Sequence, residues 1–256
     1  MIPRVIHFIW ISAGEHPTEE QLFGIKTAQL NTTCHIILHT DDPTVHIPGI
    51  EIRRRTFPTE IRGTKFNPDN TLITAGMGRR VSHLKDIVRL EILYKEGGVY
   101  SDLDVIWLRN PWEYWDKKVV IGFTNKGYKI LANAIMMSEP GNKAILQYRD
   151  WLVSIYPEKR YWIPANPYKL WAGNPDVTMV DKYVFYPVAW KNNKDLSFED
   201  IKKSVAVHQF RSMGGTDKGE VVKALQVNFK RYMDKTKKTR SAKKSQKANK
   251  KTRRNK

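Results

Sequence analysis

DIVRLEILYKEGGVYSDLDVIW, residues 86–107, reads as a helix, a Gly-Gly stop and a strand in quick succession. From Ser82 onward Leu84, Ile87, Val88, Leu90 and Tyr94 recur at the helical period, and Gly97 stands where a left-handed C-cap is wanted. Val99 to Leu108 is predicted as the strand that follows. Asp86 and Arg89 lie three apart and so share a helix face. An isolated pair of this kind is usually a surface ion pair worth little. Here the Gly97-Gly98 turn brings the next strand back beside the helix, so that Asp102 and Asp104 approach the same end. Asp-x-Asp by itself says only that both carboxylates are on one strand face. Among Val99, Tyr100, Val105, Ile106 and Trp107, however, two carboxylates are expensive to bury unless a cation or hydrogen-bond donors compensate them.

Working outward, Arg4 to Ile11 is a β-branched and aromatic run bounded by Pro3 and Gly14, predicted as a buried first strand. Thr18 opens a capping box with Gln21, predicting a helix to about Asn31. His35 to Thr40 is a second strand that ends in the turn signal Asp41-Asp42-Pro43. Strand, helix, strand predicts parallel pairing with a right-handed crossover, and hence an α/β sheet. Arg53 to Gly78 reads as loop with short pieces of structure. Strands are predicted at Val119–Phe123, Ala134–Met137, Tyr183–Tyr186 and Ser204–His208. Helices are predicted at Asn142–Tyr156 and from about Glu220 to Met233.

The 256 residues carry a formal charge of +18, but the charge is unevenly placed. Lys235 to Lys256 holds twelve Lys/Arg and no acid, so the remainder is only about +6. That tail has no apolar residue larger than Ala and cannot bury enough surface to offset its ordering entropy, so it is expected to be disordered. A body of residues 1–234 and a tail of 235–256 follow. Cys34 is the one cysteine, which excludes an internal disulfide and fits a reducing compartment. The apolar run Val5 to Ile11 is far short of the roughly 20 residues needed to span a bilayer, so no transmembrane segment or signal peptide is expected.

Carboxylates spaced in this way suit Mg²⁺ or Mn²⁺, whose coordination is completed by waters and phosphate oxygens. Taken together, IHFIW at Ile6–Trp10, the stretch Ser82–Val105, Asn133 with AIMMSEPGN, and WAGNP at Trp171–Pro175 resemble the DxD-containing glycosyltransferases of family 32. That family includes yeast initiating mannosyltransferases and, more distantly, the glucosylating clostridial toxins. The resemblance implies a GT-A fold: a Rossmann-like, mostly parallel sheet flanked by helices, in a single domain. It also implies retaining transfer from a UDP- or GDP-linked sugar to a glycan, glycoprotein or glycolipid, with Mn²⁺ or Mg²⁺ as cofactor.

By that likeness Trp10 stacks on the base, and Asp86 and Arg89 contact the donor sugar and its phosphate side. Tyr100 and Asn133 line the donor pocket. Asp102 meets the ribose or a metal-bound water, and Asp104 is the direct metal ligand. The family's C-terminal motif, His-His-Trp-x-Gly-Ser-Trp, aligns with Val207 to Met213. His208 survives as a metal ligand and Ser212 as a donor contact, while both Trp positions are lost and Arg211 offers a compensating cation. Ser101 replaces an apolar residue.

Two other classes compete. Paired carboxylates could serve a glycoside hydrolase, which would be indifferent to a chelator. The tail could hold the protein to nucleic acid or to an anionic membrane surface by non-specific, salt-sensitive attraction. It lacks the interleaved aromatics that stack on bases. The absence of an anchor fits a cytoplasmic enzyme, bacterial or virus-encoded, peripheral to a membrane at most.

Overall fold

A computed structural model describes residues 1–12, 15–61, 64–65, 80–124, 127, 129–155, 166–187 and 203–209 of the 256. Val5–Trp10 (β1) and His35–Thr40 (β2) pair in parallel along their whole length, joined by α1 (Phe23–Asn31). Glu51–Arg54 (β3) adds in parallel to β2, and Glu60–Ile61 (β4) pairs with Thr64–Lys65 (β5) in a separate ribbon. Then come α2 (Arg80–Glu96), β6 (Gly98–Ser101), β7 (Val105–Trp107), a 3₁₀ turn at Trp112–Tyr114, β8 (Val119–Phe123) and β9 (Leu131–Ser138). The described chain ends with α3 (Lys143–Ile155), α4 (Tyr168–Trp171), β10 (Val177–Val180), α5 (Lys182–Phe185) and β11 (Ala206–His208).

Seven strands form one sheet in the order β10-β8-β9-β6-β1-β2-β3, with β9 alone running against the rest. This is the mostly parallel, Rossmann-like sheet of the expected GT-A-type fold. Side-chain alternation divides the core into two layers. Ile6, Phe8, Val99, Val120, Ile135 and Met137 face α1 and the β7 segment on one side of the sheet. Ile9, Tyr100, Val119, Ile121 and Met136 face α2 and α3 on the other. Trp171, fully buried, donates its indole N–H to Ala144 O at the start of α3. The WAGNP segment thus buttresses a helix. Among the described residues, no helix is long and apolar enough to cross a membrane.

Several expectations are corrected. The predicted strand Val99–Leu108 is two strands: the chain leaves the main sheet at Asp102 and turns, with Val105 N–H bonded to Asp102 O, before β7 begins. The Thr18 box forms as drawn, Thr18 N–H to Gln21 Oε1 and Gln21 N–H to Thr18 Oγ1. It closes only an irregular turn, and the regular ladder starts at Phe23. The predicted strand Tyr183–Tyr186 falls instead on α5, with Tyr186 just past its end, because Asp181 caps the helix start and accepts Tyr183 N–H at 2.8 Å. Glu51–Arg54, at the edge of the loop region, is a strand whose charges pair laterally with His35 and Glu96. The predicted helix at Glu220–Met233 and the tail lie outside the described residues.

Gly97 ends α2 at φ +68°, its N–H bonding Leu93 O. A Cβ on the next residue, Gly98, would stand 2.4 Å from Val5 Cγ1. The Gly pair therefore ends the helix and lets β6 lie against β1.

Two histidines sit buried in the sheet. His7 Nε2 lies 3.1 Å from Gly97 O, which can only accept, so His7 donates there and its Nδ1 must accept from His39 Nε2 at 3.0 Å. The remaining His39 Nδ1 is then a lone pair, buried without a hydrogen-bond partner. Burial lowers both imidazoles, His7 to about 4 and His39 to about 3. Folding therefore favours the neutral pair. Its contribution is intact above about pH 6.5, where unfolded histidine is neutral too, and is lost as pH falls through the window toward 4. Urea unfolding at pH 7 and pH 5 should show a loss of about 2 kcal/mol per excluded proton. His39→Gln should flatten that part of the slope, and an unchanged slope would show that the pair does not govern it.

Candidate active site

The C-terminal ends of β1 and β6 flank the point where the strand order reverses, the position at which open α/β sheets present a crevice. Trp10 ends β1 and Asp102 follows β6, while the first half of α2 lies over the same edge. Asn133 arrives from the antiparallel strand. Between β8 and β9 the register jumps from Ile121↔Met136 to Gly122↔Ala132, so Asn133, Ala134 and Ile135 bulge away from β8. The bulge is tied down by Tyr186, whose hydroxyl accepts from Ile135 N–H and donates to Ala132 O, both at 3.0 Å. Ala134 O in turn accepts the Asp102 N–H at 2.8 Å.

Arg89, only 4% exposed, is the centre of the site. Its Nη2 is 3.0 Å from Asp86 Oδ1 and 3.4 Å from Asp102 Oδ1. Nη1 donates to Asn133 O at 2.6 Å, Nε donates to Lys85 O at 3.2 Å, and the guanidinium lies 4.4 Å from the centre of the Tyr100 ring. Asn133 Nδ2 donates to Asp86 Oδ1, and Tyr100 OH donates to Asp102 Oδ1 at 2.6 Å. Asp86, Arg89, Tyr100, Asp102 and Asn133 are thus one bonded network. Burial opposes the charge on Arg89, but Asp102, Tyr100 and Asp86 outweigh it and hold the group above its ordinary value. Burial pushes Asp86 up to about 6 against the pull of Arg89.

Asp102, Asp104 and His208 present one ligand atom each within 4.8 Å of one another. His208 comes from β11, which pairs antiparallel with β7 so that His208 is opposite Val105, and Gln209 N–H bonds Asp104 O. Its Nε2 is 3.2 Å from Asp104 Oδ1. Burial alone would lower His208, yet Asp104 reverses this and raises it. Adjacent corners of an octahedral shell with bonds of about 2.1 Å are about 3 Å apart, so this spacing and the carboxylate-imidazole donor set fit a divalent ion such as Mn²⁺.

Four features of the site were not read from the sequence. Gly24 brings α1 against the acidic turn: a Cβ there would stand 2.3 Å from Leu103 O and 2.8 Å from Val105 O. Ser101 is buried, accepts the Trp107 indole N–H and donates to Asp102 O, which makes it a brace for the turn. Tyr186 fixes the bulge. Lys85 extends its ammonium to 5.9 Å from the Trp10 ring centre. Trp10 itself is 8% exposed and donates its indole N–H to Glu15 O. Ser212 and Arg211 lie outside the described residues.

A mostly parallel α/β sheet carries an acidic turn, an imidazole and a buried guanidinium at its switch point, and these make up the candidate active site. Residues 62–122 match the family described as "glycosyltransferase sugar-binding region containing DXD motif", which bears out the resemblance read from the sequence. No curated protein matches the chain. Among solved structures, PaToxG glycosyltransferase is similar at 20% identity over 68% of this chain and 70% of its own, TM-score 0.48. Galactosyltransferase LgtC, in complex with donor and acceptor sugar analogues, is similar at 12% identity over 88% and 95%, TM-score 0.46. The apo form of GlyE from Streptococcus pneumoniae TIGR4 is similar at 11% identity over 73% and 47%, TM-score 0.44.

Gly24→Ala tests the close approach of α1. In an unconstrained helix Ala gains about 1 kcal/mol over Gly. Here the added methyl must displace the carbonyls beside Asp102 and Asp104, so a net loss of about 1–3 kcal/mol is expected in urea unfolding, together with weaker Mn²⁺ binding by electron paramagnetic resonance. A more stable variant with undiminished Mn²⁺ affinity would show that the contact constrains nothing.

Proposed function

We propose that the protein is a metal-dependent, retaining glycosyltransferase that moves a sugar from a UDP- or GDP-linked donor to a carbohydrate, glycoprotein or glycolipid acceptor. The observation that carries this reading is the convergence of Asp86, Arg89, Tyr100, Asn133, Asp102, Asp104 and His208 on one sheet edge from four separate segments. Asp104 and His208 would hold Mn²⁺ or Mg²⁺, with Asp102 beside them. When bound, the ion supplies positive charge for the diphosphate that departs in the transition state.

The other roles belong to side chains. Asp86 keeps a carboxylate at the sugar end of the pocket, oriented by Asn133. Arg89 spends all three nitrogens inside the protein, so it acts by fixing Asp86 and Asp102 in place and by offsetting their repulsion. Tyr100 pins Asp102 Oδ1. Trp10, its indole N–H held by Glu15 O, would offer a flat face to the base. Asp86 is tied to Arg89 and Asn133 through Oδ1, which disfavours it as the nucleophile of a double displacement. We therefore favour front-face transfer, in which the acceptor hydroxyl gives its proton to the departing diphosphate oxygen as the new glycosidic bond forms. The body would be residues 1–234, with the 235–256 tail as an accessory that brings the enzyme to an anionic surface.

A hydrolase acid pair is disfavoured. Asp86 and Asp102 share one guanidinium, and Asp104 is paired to an imidazole.

Thermal unfolding with UDP or GDP, each with and without Mn²⁺, should show a shift of several degrees for one nucleotide and only when the metal is present. No shift with either would overturn the reading. Asp104→Ala should lower transfer at least about 100-fold while leaving the fold intact, since it removes a metal ligand and relieves carboxylate repulsion. Near wild-type turnover in Mn²⁺ would refute its role. A chain ending at Asp234 should retain transfer to a soluble acceptor, and loss of that activity would make the tail part of the catalytic unit.

A further inference from the structure

We infer that the ammonium of Lys85 grips the donor's diphosphate from the protein side, between the Trp10 indole and the acidic turn Asp102–Asp104. This rests on the donor reading above and adds a residue to it. The pocket as built is anionic. Asp86, Asp102 and Asp104 converge on it, and the one guanidinium among them, Arg89, is buried with every nitrogen committed to Asp86, Asp102, Asn133 O or Lys85 O. A divalent ion at Asp104 and His208 would offset much of that charge from the turn side, and a diphosphate spanning the pocket meets no free cation on the α2 side unless Lys85 supplies it.

Lys85 is placed to supply that charge. It directly precedes Asp86 on α2, and its own carbonyl is held by Arg89 Nε, so the turn that carries it is fixed. Its ammonium stands 5.9 Å from the Trp10 ring centre, at the mouth of β1; burial, helped by Arg89, holds the group below its ordinary value against the pull of Asp102, Asp104 and Asp86. Among the described residues no carboxylate pairs with it directly. A nucleotide laid with its base toward Trp10 and its phosphates toward the metal ligands passes this point. A compact ammonium on a flexible stem suits a phosphate as a movable point charge, where Arg89 is pre-set and spent.

The alternative role is neutralisation, in which Lys85 merely offsets the three acids. The two roles predict different magnitudes. Lys85→Met keeps the length and removes the charge, so in either case Mn²⁺ alone should bind the more negative turn as well as in wild type, or better. If Lys85 only neutralises, UDP or GDP binding at saturating Mn²⁺ loses no more than the roughly threefold that screened through-space repulsion costs. If it grips the diphosphate, that binding weakens by about 10- to 100-fold, the worth of one charge-assisted contact. Uridine or guanosine without phosphate should bind as before, and Lys85→Arg should recover most of the affinity.

Titration calorimetry with the preferred diphosphate and paramagnetic resonance with Mn²⁺ alone measure both quantities on the full chain. With donor sugar, KM should rise more than kcat falls. A loss of diphosphate binding by Lys85→Met of no more than about threefold at saturating Mn²⁺ would overturn the inference while leaving the transferase reading intact. Failure of the wild-type protein to bind either diphosphate would instead remove the transferase reading, and this one with it.

Discussion

A guanidinium cannot shed its charge, and Arg89 carries one into a space that is almost closed to water. Everything within reach answers that fact. Two carboxylates, two backbone carbonyls and the face of Tyr100 surround it, supplied by three parts of the chain: α2, the end of β6 and the β9 bulge. Losing one carboxylate would leave a buried cation short of a partner, an uncompensated state that typically costs 3–5 kcal/mol. The arrangement therefore holds three elements together as firmly as apolar packing does, and in a single geometry. The acids proposed to serve the donor, Asp86 and Asp102, are also the structural counter-ions of the core.

The backbone around this centre departs from regularity wherever the site needs it. β9 bulges to deliver Asn133, with Tyr186 OH closing the gap. β6 stops at Asp102, whose N–H is taken by Ala134 O from the same bulge. The acidic turn is then trapped between this bulge and α1, whose Gly24 allows contact with the Leu103 carbonyl. Peptide groups and a missing methyl thus position the two aspartates alongside the side-chain contacts with Arg89, Tyr100 and His208.

Much of this was present in the sequence, though not all in readable form. The 3.6-residue period of α2, the Gly pair and the Asp-x-Asp spacing foretold that Asp86, Arg89, Asp102 and Asp104 would meet, and the meeting is observed. The alternation of β1 and β2, together with the intervening helix signal, foretold a parallel unit. The turn at Asp102 was hidden because Val105-Ile106-Trp107 continues the apolar run, so a local reading saw one strand where tertiary pairing with β11 makes two. The helix at Lys182–Phe185 was hidden by Tyr and Val, which favour strands, and the Asp181 cap was the overlooked signal. Gly24, Ser101 and Tyr186 act on partners far along the chain, and nothing in their neighbours marks them. Lys85 looked like one more polar position on a helix.

One consequence concerns the order in which the site comes into being. His208 sits on a strand that pairs only with β7, outside the seven-stranded sheet, and it is encoded about a hundred residues after Asp104. On the ribosome the guanidinium cluster can assemble as soon as β9 has emerged, while the imidazole arrives about seventy residues later. The nascent chain would then hold its acids neutralised by an internal cation for some time before it gains its full complement of donors. The three-donor cluster is complete only once β11 has paired with β7.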